Sequence, residues 1–543
     1  MGLVVVAFIL LTGRLAARMY PAGGAAWRRL VIPVTGALVS GFLLSRYFPN
    51  ARGSGIPQTK FAIFINNGYI SLKTVVGKFL CCSISLASGI ALGREGPSVQ
   101  IGAGVASVLG RRFGLGAEYV KSLVPVGCSA ALAAAFNTPI AAVLFSLEEI
   151  MGDLHAPVIG TVVIASATAW MVLHLVLGDQ PLFHVPAYQL VHPLEFGIYA
   201  ILGLVGGLAS VFFVKLLLFI RKTFKRLPKS TEWAQPAAGG LVVGLMGWFL
   251  PEVLGVGYDF VDTVLGGDFP LKTIALLAVM KLIATPACYG SGNAGGIFGP
   301  SLFIGAMIGG AVGSIAHTLL PHLTAGPGAY ALVGMGAAFA GIVRTPLTSV
   351  IMIFEMTRDY SIIVPLMIAN MISFIISQKL QPEPIYEALA LQEGVYLPTG
   401  ESRDQLAGIR VAEIMRTGPE PLSADLDLAT ANRRLEEMGR NAWPVGESKH
   451  LLGVVTAREI EESEASHSLL SDVIAPDASF PYVHPDHPVS LALERMGAAA
   501  VDTVPVVSRA NIRQSYGVVT LPDILAAYGV EKRSADGTEA TGK

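Results

Sequence analysis

The sequence predicts an all-α, multi-pass membrane protein with an internal repeat and broken helices, followed by a small C-terminal α/β tandem. Three observations predict this fold class: an uneven distribution of charge, apolar stretches interrupted by Gly and Pro, and two internal duplications. The chain has 543 residues, of which 52% are apolar and 14% are charged. An ordinary soluble domain carries about 25% charged residues, so the composition excludes an ordinary soluble protein.

Charged residues are concentrated near the C-terminus. Residues 401–543 hold 36 of the 77 charged residues, and the first 400 residues hold 41. We therefore expect the first part to lie in a lipid bilayer and the last part to be soluble. The formal net charge is −1. This balance, without a clustered basic excess, argues against nucleic-acid binding.

The apolar stretches are short for membrane helices. Many fall below the about 20 residues that a spanning helix needs, and Gly or Pro interrupts them. Such half-length segments are tolerated only where their free backbone is buried in protein or lines a polar cavity. The pattern favours a protein that forms a pathway. The apolar start of the chain lacks a basic region, so we interpret it as part of a first membrane helix and not as a signal peptide.

The four cysteines lie in apolar stretches without paired spacing. They are Cys81, Cys82, Cys128 and Cys288. We interpret them as small core residues and expect neither a disulfide framework nor a metal site. No cofactor is expected to be required.

The first duplication divides the apolar part into two related halves. Gly93-Arg-Glu-Gly-Pro-Ser98 resembles Gly296-Ile-Phe-Gly-Pro-Ser301 at an offset of 203 residues. The strings that begin at Asn137-Thr-Pro and at Arg344-Thr-Pro match at an offset of 207. Many transporters are built from two such halves and hold their substrate where discontinuous helices from both halves meet.

The second duplication lies in the soluble part. Residues 451–460 resemble residues 515–524, and each copy follows a short strand-like segment. Each unit alternates helical and β-rich stretches, which predicts a small α/β tandem. The polar residues from Glu531 onward are predicted to be disordered.

Three glycine-rich breaks end in proline and are predicted to start helices. They are Gly53-Ser-Gly-Ile-Pro57, Gly93-Arg-Glu-Gly-Pro97 and Gly295-Gly-Ile-Phe-Gly-Pro300. A helix start exposes free N–H groups and the positive end of the helix dipole, so several converging starts can hold an anion. The alternative is close helix packing through small residues.

Glu95 lies at one of these predicted helix starts. A carboxylate there is attracted by the same dipole that attracts a substrate anion, so it can compete with the anion and carry a proton. The alternative is a salt bridge with Arg94 or a helix cap.

Glu148 and Glu149 close another apolar run. Adjacent side chains on a helix point about 100° apart, so one can face the protein interior while the other faces water. A second carboxylate inside the membrane could relay protons. The alternative is two solvated residues at a helix end.

With these motifs in order, and with Pro384-Ile-Tyr386 following them, residues 1–390 resemble the chloride channel and transporter (CLC) family. Residues 408–530 resemble a tandem of CBS modules. The resemblance implies an inverted-topology repeat and a homodimer in which each subunit has its own anion pathway. It implies a transporter of chloride and not an enzyme.

The resemblance also implies roles for particular residues. Ser54 and Tyr386 would offer hydroxyls to chloride, and the backbone amides of Ile297 and Phe298 would add donors. Glu95 matches the gating, external proton glutamate, and Glu149 matches the internal proton glutamate.

The presence of both acids favours a Cl⁻/H⁺ antiporter over the main alternative, a passive gated chloride channel. Ser at position 54 is typical of chloride rather than nitrate preference. A third hypothesis makes the CBS pair an adenine-nucleotide sensor that the membrane part mainly anchors.

The sequence departs from the family pattern in two places. Many relatives have acidic residues after Pro57, but here the string is Gln58-Thr-Lys60, so a charge pairing with Lys78 is expected to be lost. The N-terminal side is short for the family, and we expect either further residues upstream or a truncated first helix.

The resemblance divides the chain into a transport domain (1–390), a linker (391–407), CBS 1 (408–465), CBS 2 (466–530) and a disordered tail (531–543). Thr520 and Asp523 of the second CBS copy match a pattern that contacts the ribose of an adenine nucleotide; the first copy has Thr456 and Glu459. The expected location is the inner membrane of a bacterial cell, with the CBS domains in the cytoplasm.

Overall fold

The computed structural model describes residues 1–527 except for 22–23, 155–156, 179–181, 184, 186–187, 189, 268, 394–408, 464–467 and 475–479. The chain forms two compact units, Met1–Leu397 and Pro398–Lys543. The tail predicted at 531–543 lies outside the described residues, as does most of the linker predicted at 391–407.

In its described residues the first unit consists of helices joined by loops, with no strand. Its helices are α1 (Gly2–Met19), α2 (Arg28–Arg46), α3 (Ile56–Phe64), α4 (Leu72–Ala87), α5 (Glu95–Arg112), α6 (Ala117–Phe136), α7 (Pro139–Phe145), α8 (Ile159–Leu177), α9 (Glu195–Lys225), α10 (Gln235–Phe249), α11 (Tyr258–Leu265), α12 (Leu271–Gly290), α13 (Phe298–Leu319), α14 (Pro327–Val343), α15 (Pro346–Thr357), α16 (Ile363–Leu380) and α17 (Ile385–Leu391). Eight helical spans in the described residues are long and apolar enough to cross a membrane. Others, such as α3, α7 and α17, are half-length or shorter.

The internal repeat is visible in the packing of helix pairs. In the first half α5 packs on α6, and in the second half α13 packs on α14. A Cβ atom built on Gly102 would lie 2.4 Å from the Gly127 carbonyl oxygen, and one built on Gly305 would lie 2.3 Å from that of Gly334. Both crossings therefore require glycine, since only a residue without Cβ allows the backbones to approach this closely.

The helices of this unit pack around one large apolar core. Some helices are buried within it, and others expose apolar side chains along their length. Residues of α14 are almost all buried. By contrast, α8 keeps only Val162, Ser166, Ala169 and Leu173 buried. A helix that is apolar on its exposed face suits a lipid environment, so the buried helices form the interior of a membrane unit.

The second unit contains two copies of one α/β motif. The first copy has α18 (Val411–Ile414), α19 (Leu428–Met438), β1 (Ala442–Glu447), β2 (His450–Thr456) and α20 (Ala457–Ser463). The second copy has α21 (Leu470–Val473), α22 (Val489–Ala499), β3 (Thr503–Val507), β4 (Ser515–Thr520) and α23 (Leu521–Ala527). Each strand pair is antiparallel, and the register shifts at the same place in both, after Val445 and after Val506.

The two copies share their cores. Ala442 of β1 is buried in a cluster made mainly by the second copy, and Val518 of β4 is buried in a cluster made mainly by the first. The Asn441 backbone N–H donates to Asp502 at 3.0 Å, and the Asp502 backbone N–H donates to the Asn441 side chain at 2.7 Å. The two copies therefore pack against each other through shared apolar clusters and these hydrogen bonds.

Candidate anion and proton site

The three predicted glycine breaks meet inside the membrane unit. The N–H of Gly93 donates to the Gly296 carbonyl, and the N–H of Gly296 donates to the Gly93 carbonyl, both at 2.7 Å. A Cβ built on Gly96 would lie 2.6 Å from the Ser54 carbonyl oxygen and 3.4 Å from the Gly296 Cα. Glycine thus allows three loops from distant parts of the sequence to touch at one point.

Each loop leads directly into a helix. Helix α3 begins at Ile56, α5 at Glu95 and α13 at Phe298, and Ile297 is the N-cap of α13. The first N–H groups of a helix have no carbonyl one turn earlier and carry partial positive charge. The predicted amide donors Ile297 and Phe298 therefore lie at an N-terminus that favours an anion.

Ser54 is buried at the turn before α3. Its Oγ accepts the backbone N–H of Ile56 at 3.3 Å, and its exposed fraction is 0%. The next residue, Gly55, has a φ of 104°, and a Cβ there would lie 2.6 Å from the Gly96 carbonyl oxygen. Glycine at 55 therefore fixes the direction in which Ser54 faces.

Tyr386 is the second residue of α17 and is fully buried. Its hydroxyl has no hydrogen-bond partner among the described residues. Glu149, Tyr289 and Glu95 are close enough to interact with it electrostatically. A buried hydroxyl without a partner costs about 1–3 kcal/mol, so this donor suits a ligand that would accept its hydrogen bond.

Glu95 is also fully buried. One carboxylate oxygen accepts the backbone N–H of Gly299 at 3.3 Å, so the side chain reaches the N-terminus of α13 as well as starting its own helix. The other oxygen accepts a hydrogen bond from the Tyr258 hydroxyl. The alternative of a salt bridge with Arg94 corresponds to a long contact of 3.9 Å. The alternative of a helix cap applies to α13 and not to the helix that Glu95 starts.

Tyr258 was not among the site residues predicted from the sequence. A signal existed, since Gly255-Val-Gly-Tyr258 follows the first half's Gly53-Ser-Gly-Ile56 at an offset of 202 residues. Tyr258 thus corresponds to Ile56, since each residue directly follows the second glycine of its turn.

Glu149 lies in a π-helical turn, Ser146–Met151, that follows α7. It is 5% exposed, and its carboxylate forms a salt bridge of 2.8 Å with the Lys60 ammonium. The same ammonium binds the carboxylate of Glu387. Glu149 was predicted from the sequence, but Glu387 was not, and Lys60 was noted only as a departure from the family pattern.

Glu148 has a different environment from its neighbour. Its carboxylate accepts the backbone N–H groups of Leu347 at 3.3 Å and Thr348 at 2.8 Å, and the Thr348 hydroxyl at 2.6 Å. The alternative of two solvated acids at a helix end is therefore wrong for Glu149, which is buried, whereas Glu148 is only half-buried. Glu148 caps α15, and Glu149 is buried in an ion pair.

Lys78 is fully buried and bonds backbone carbonyls. Its ammonium donates to Ala51 at 3.0 Å and Gly53 at 2.7 Å. The second half repeats this arrangement, because Lys281 donates to Val253 at 2.9 Å and Gly255 at 2.6 Å. Each lysine holds in place the loop that precedes a glycine turn.

A cavity of about 700 Å³ opens beside the Ser54 loop. Its lining includes Gly53, Tyr289 and six charged residues, which are Arg52, Arg221, Lys225, Lys229, Glu232 and Glu393. Arg52 pairs with Glu232, and Arg221 and Lys225 both pair with Glu393. Basic side chains still outnumber acidic ones in this lining, and a basic excess along a cleft favours the approach of an anion.

The predicted nucleotide residues lie in the second unit. The Asp523 carboxylate accepts the Thr520 hydroxyl at 2.6 Å and the Arg416 guanidinium at 2.6 Å. In the first copy Thr456 donates to Glu459 in the same way, at 2.8 Å. Both pairs cap the helix that follows them. The second copy differs from the first because Arg416 also bonds its acid, Asp523.

Comparison with known proteins agrees with this geometry. The family model described as voltage gated chloride channel matches residues 36–378, which is more than half of the chain. The chain belongs to the CLC family. The CBS domain model matches residues 411–464 and 470–529, so the soluble unit of this CLC protein is a CBS pair.

Two relatives are each about one third identical to this chain. A protein of Vibrio campbellii named H(+)/Cl(-) exchange transporter ClcA is 34% identical over 366 residues, which cover 66% of this chain and 78% of the relative. A protein of Ralstonia nicotianae named putative chloride channel protein ClcB-like is also 34% identical, with 66% and 85% covered.

A solved structure supports the fold. The crystal structure of a slow cyanobacterial Cl⁻/H⁺ antiporter matches with a TM-score of 0.67 and 26% identity, over 72% of this chain and 95% of that one. The predicted fold class, a polytopic all-α membrane protein with a C-terminal CBS pair, is confirmed.

Proposed function

We propose that this CLC protein is an antiporter that exchanges chloride for protons across a membrane. The observation that carries the proposal is the hydrogen bond from Gly299 N–H to the Glu95 carboxylate. An anionic group of the protein occupies the N-terminus of α13, where a substrate anion would be attracted. The name of the 34% identical Vibrio relative supports the same activity.

Competition between Glu95 and chloride couples the two ions. While ionised, Glu95 takes the helix N-terminus and excludes chloride from it. When a proton binds, the carboxyl loses the charge that the dipole attracts and can leave. Chloride can then replace it at the same amides, so that each proton taken up by Glu95 opens the site to an anion.

Four groups are proposed to hold the chloride. The hydroxyls of Ser54 and Tyr386 would donate hydrogen bonds, and the amides of Ile297 and Phe298 would add backbone donors. The Tyr386 hydroxyl supports this set, because it is buried, has no hydrogen-bond partner in the part of the chain that the structure describes, and would be satisfied by a chloride acceptor. Such donors bind an anion without requiring a full positive charge beside it.

Glu149 is proposed to pass protons between Glu95 and the other side of the membrane. Its burial and its electrostatic proximity to Tyr386 support a place on the proton route. Intramembrane carboxylates are expensive to bury, so they usually have a function.

A passive, gated chloride channel is the second candidate. The Ralstonia relative is named a putative chloride channel. Such a protein would use the same anion site and the same glycine loops, and it would move chloride downhill without moving protons against their gradient.

Flux measurements on purified protein in liposomes separate these candidates. The liposomes carry a chloride gradient, a potassium ionophore clamps the potential, and chloride efflux and external pH are recorded together. An antiporter drives protons uphill as chloride runs down its gradient. Chloride efflux with protons following only their own gradient would instead identify a channel.

The CBS pair is proposed to bind an adenine nucleotide at Thr520 and Asp523. Arg416, whose side chain is 55% exposed, now pairs with Asp523. On nucleotide binding this guanidinium is proposed to turn to the phosphates, and the Asp523 oxygen that it releases is proposed to accept a ribose hydroxyl. Calorimetry with ATP tests this, with Asp523→Ala expected to abolish the heat of binding. Transport by a protein ending near residue 395 tests the hypothesis that the membrane part only anchors a sensor.

We also propose a homodimer in the inner membrane of a bacterial cell, with the CBS pair in the cytoplasm. Membership of the CLC family supports this assembly and orientation. Light scattering in detergent is expected to give twice the chain mass of 57.0 kDa. In a Glu462→Cys variant, a membrane-impermeant, cysteine-specific label is expected to react with this residue only in inside-out vesicles.

A further inference from the structure

Lys60, Glu149 and Glu387 form a buried ionic cluster in the membrane unit. The Lys60 ammonium lies 2.8 Å from the Glu149 carboxylate and also binds the Glu387 carboxylate. The three residues are 4%, 5% and 6% exposed. Because each carboxylate bonds the same nitrogen, the two bonded oxygens lie within about 6 Å of each other.

The charges of this cluster do not balance when all three groups are ionised. One ammonium and two carboxylates leave a net charge of −1, and a buried charge without a counterion is strongly disfavoured. One added proton on either carboxylate makes the cluster neutral. The remaining oxygen of Glu387 supports such a proton, because it is buried and has no hydrogen-bond partner among the described residues.

We propose that Glu149 and Glu387 share one transported proton across Lys60, and that Glu387 is a second proton-transfer residue of this transporter. In the step, the O–H bond of the Glu387 carboxylic acid breaks, the proton bonds to the Glu149 carboxylate, and the reverse step returns it. Lys60 remains an ammonium throughout and positions both acids. This inference rests on the proposed antiport.

The location of Glu387 links the proton to the anion site. Glu387 follows Tyr386 on α17, and the Tyr386 hydroxyl is proposed to bind chloride. Glu148, the other acid beside Glu149, is unsuited to this role because hydrogen bonds from α15 occupy both of its oxygens. Glu387 is thus the carboxylate that connects Glu149 to the helix carrying the anion donor.

Charge balance predicts an unusual rescue. Glu387→Gln leaves the neutral pair of Lys60 and Glu149, and adding a proton to this pair would create a buried net positive charge. Removing the lysine as well, in Lys60→Met/Glu387→Gln, leaves Glu149 alone. A lone carboxyl again cycles between a neutral, protonated form and an anion, as the original cluster does.

The test measures the number of protons moved per chloride in liposomes. We expect Glu387→Gln to lower this ratio at least tenfold while chloride efflux stays within about twofold of the parent. The double variant should return the ratio to within about threefold of the parent. Glu118→Gln, which changes an exposed glutamate on α6, is the control and should leave both quantities unchanged.

Two results would overturn the inference: a parental ratio in Glu387→Gln, or a double variant no better coupled than Glu387→Gln. If Glu387→Gln does not fold, the inference is tested by comparing Glu149→Gln with Lys60→Met/Glu149→Gln. The double variant leaves Glu387 as the lone acid of the cluster, so it should regain the proton coupling that Glu149→Gln loses. A parent that moves chloride without protons contradicts the antiport and the inference together. A coupled parent with a fully coupled Glu387→Gln contradicts the inference alone.

Discussion

Glu148 caps the helix that contains Glu355, and Glu355 caps the helix that precedes Glu148. The Glu148 carboxylate accepts N–H groups at the start of α15, the helix that contains Glu355. The Glu355 carboxylate accepts the N–H groups of Ile140 at 2.9 Å and Ala141 at 2.7 Å, at the start of α7. The two residues are related by the 207-residue offset of the repeat, so the exchange of caps joins its two halves.

This exchange predicts a stabilising role for Glu355 that is separate from transport. Loss of a helix cap typically costs about 1 kcal/mol, so Glu355→Ala should lower the free energy of unfolding by about that amount. Thermal unfolding in detergent measures the change. The exposed Glu383 provides a control, since Glu383→Ala should have almost no effect. A Glu355→Ala protein with normal stability but no proton coupling would contradict the assignment.

Glu95 is expected to be indispensable for proton movement. Glu95→Gln cannot ionise, and Glu95→Ala removes the group that competes at the N-terminus of α13, so both should abolish proton movement while chloride still moves. Parallel records of pH and chloride in liposomes measure this. Tyr258→Phe removes only the hydroxyl that binds Glu95 and should retain coupling, which separates the carboxylate from its surroundings. Proton movement unchanged in Glu95→Gln would refute the role.

The sequence predicted the glycine loops and the repeat because each depends on local chemistry, whereas the proposed chloride donors followed only from the family resemblance. A Gly-rich string ending in Pro starts a helix wherever it occurs, and the repeated strings at residues 93 and 296 indicated that the loops belong together. Their direct pairing through Gly93 and Gly296 required the three-dimensional fold.

The partners of Lys60 could not be predicted in the same way. Its two carboxylates are 89 and 327 residues away in the sequence, and nothing local indicates that α3, the π-helical turn and α17 meet. The absence of an acid after Pro57 suggested a lost charge pairing with Lys78. In the structure Lys78 bonds carbonyls, and the cation at position 60 pairs with acids from two other elements.

Tyr386 is expected to contribute a hydrogen bond to chloride. Hydrogen bonds to charged groups are worth about 1.5–3 kcal/mol, so Tyr386→Phe should weaken chloride binding by about tenfold or more. Tyr386→Ala should weaken it further, since the fully buried ring also packs in the core. Calorimetric titration with chloride measures both. Equal affinities in Tyr386→Phe and the parent would remove the hydroxyl from the anion site.

The CBS pair contains an ion pair that should respond to acid. A hydrogen bond from Arg509 lowers the pKa of Asp486 to about 2. Because this pKa is depressed in the folded state, the contact stabilises the fold above about pH 4 and is lost as the pH falls towards 2. Arg509→Gln should return the pKa to about 3.9. Carbon NMR of labelled aspartate carboxyls measures the shift, and an unchanged midpoint would contradict the pairing.

Gly96 should be intolerant of even one added methyl group, because the anion site depends on how closely the loops approach. The Cβ of Gly96→Ala would lie 2.6 Å from the Ser54 carbonyl oxygen, so the Ser54 loop or α5 must shift. Overpacking of this kind costs about 1–3 kcal/mol, and a displaced Ser54 should weaken chloride binding by about tenfold.

Gly160 near the start of α8 supplies a matched control for this change, since a Cβ there meets nothing within 4 Å. Gly160→Ala should leave chloride affinity and thermal stability at parental values, and the same calorimetric titration compares it with Gly96→Ala. Weak binding in Gly96→Ala together with normal binding in Gly160→Ala would locate the effect at the loop junction. Normal chloride affinity in both would mean that the junction tolerates displacement, and the anion would then have to bind away from the Ser54 loop.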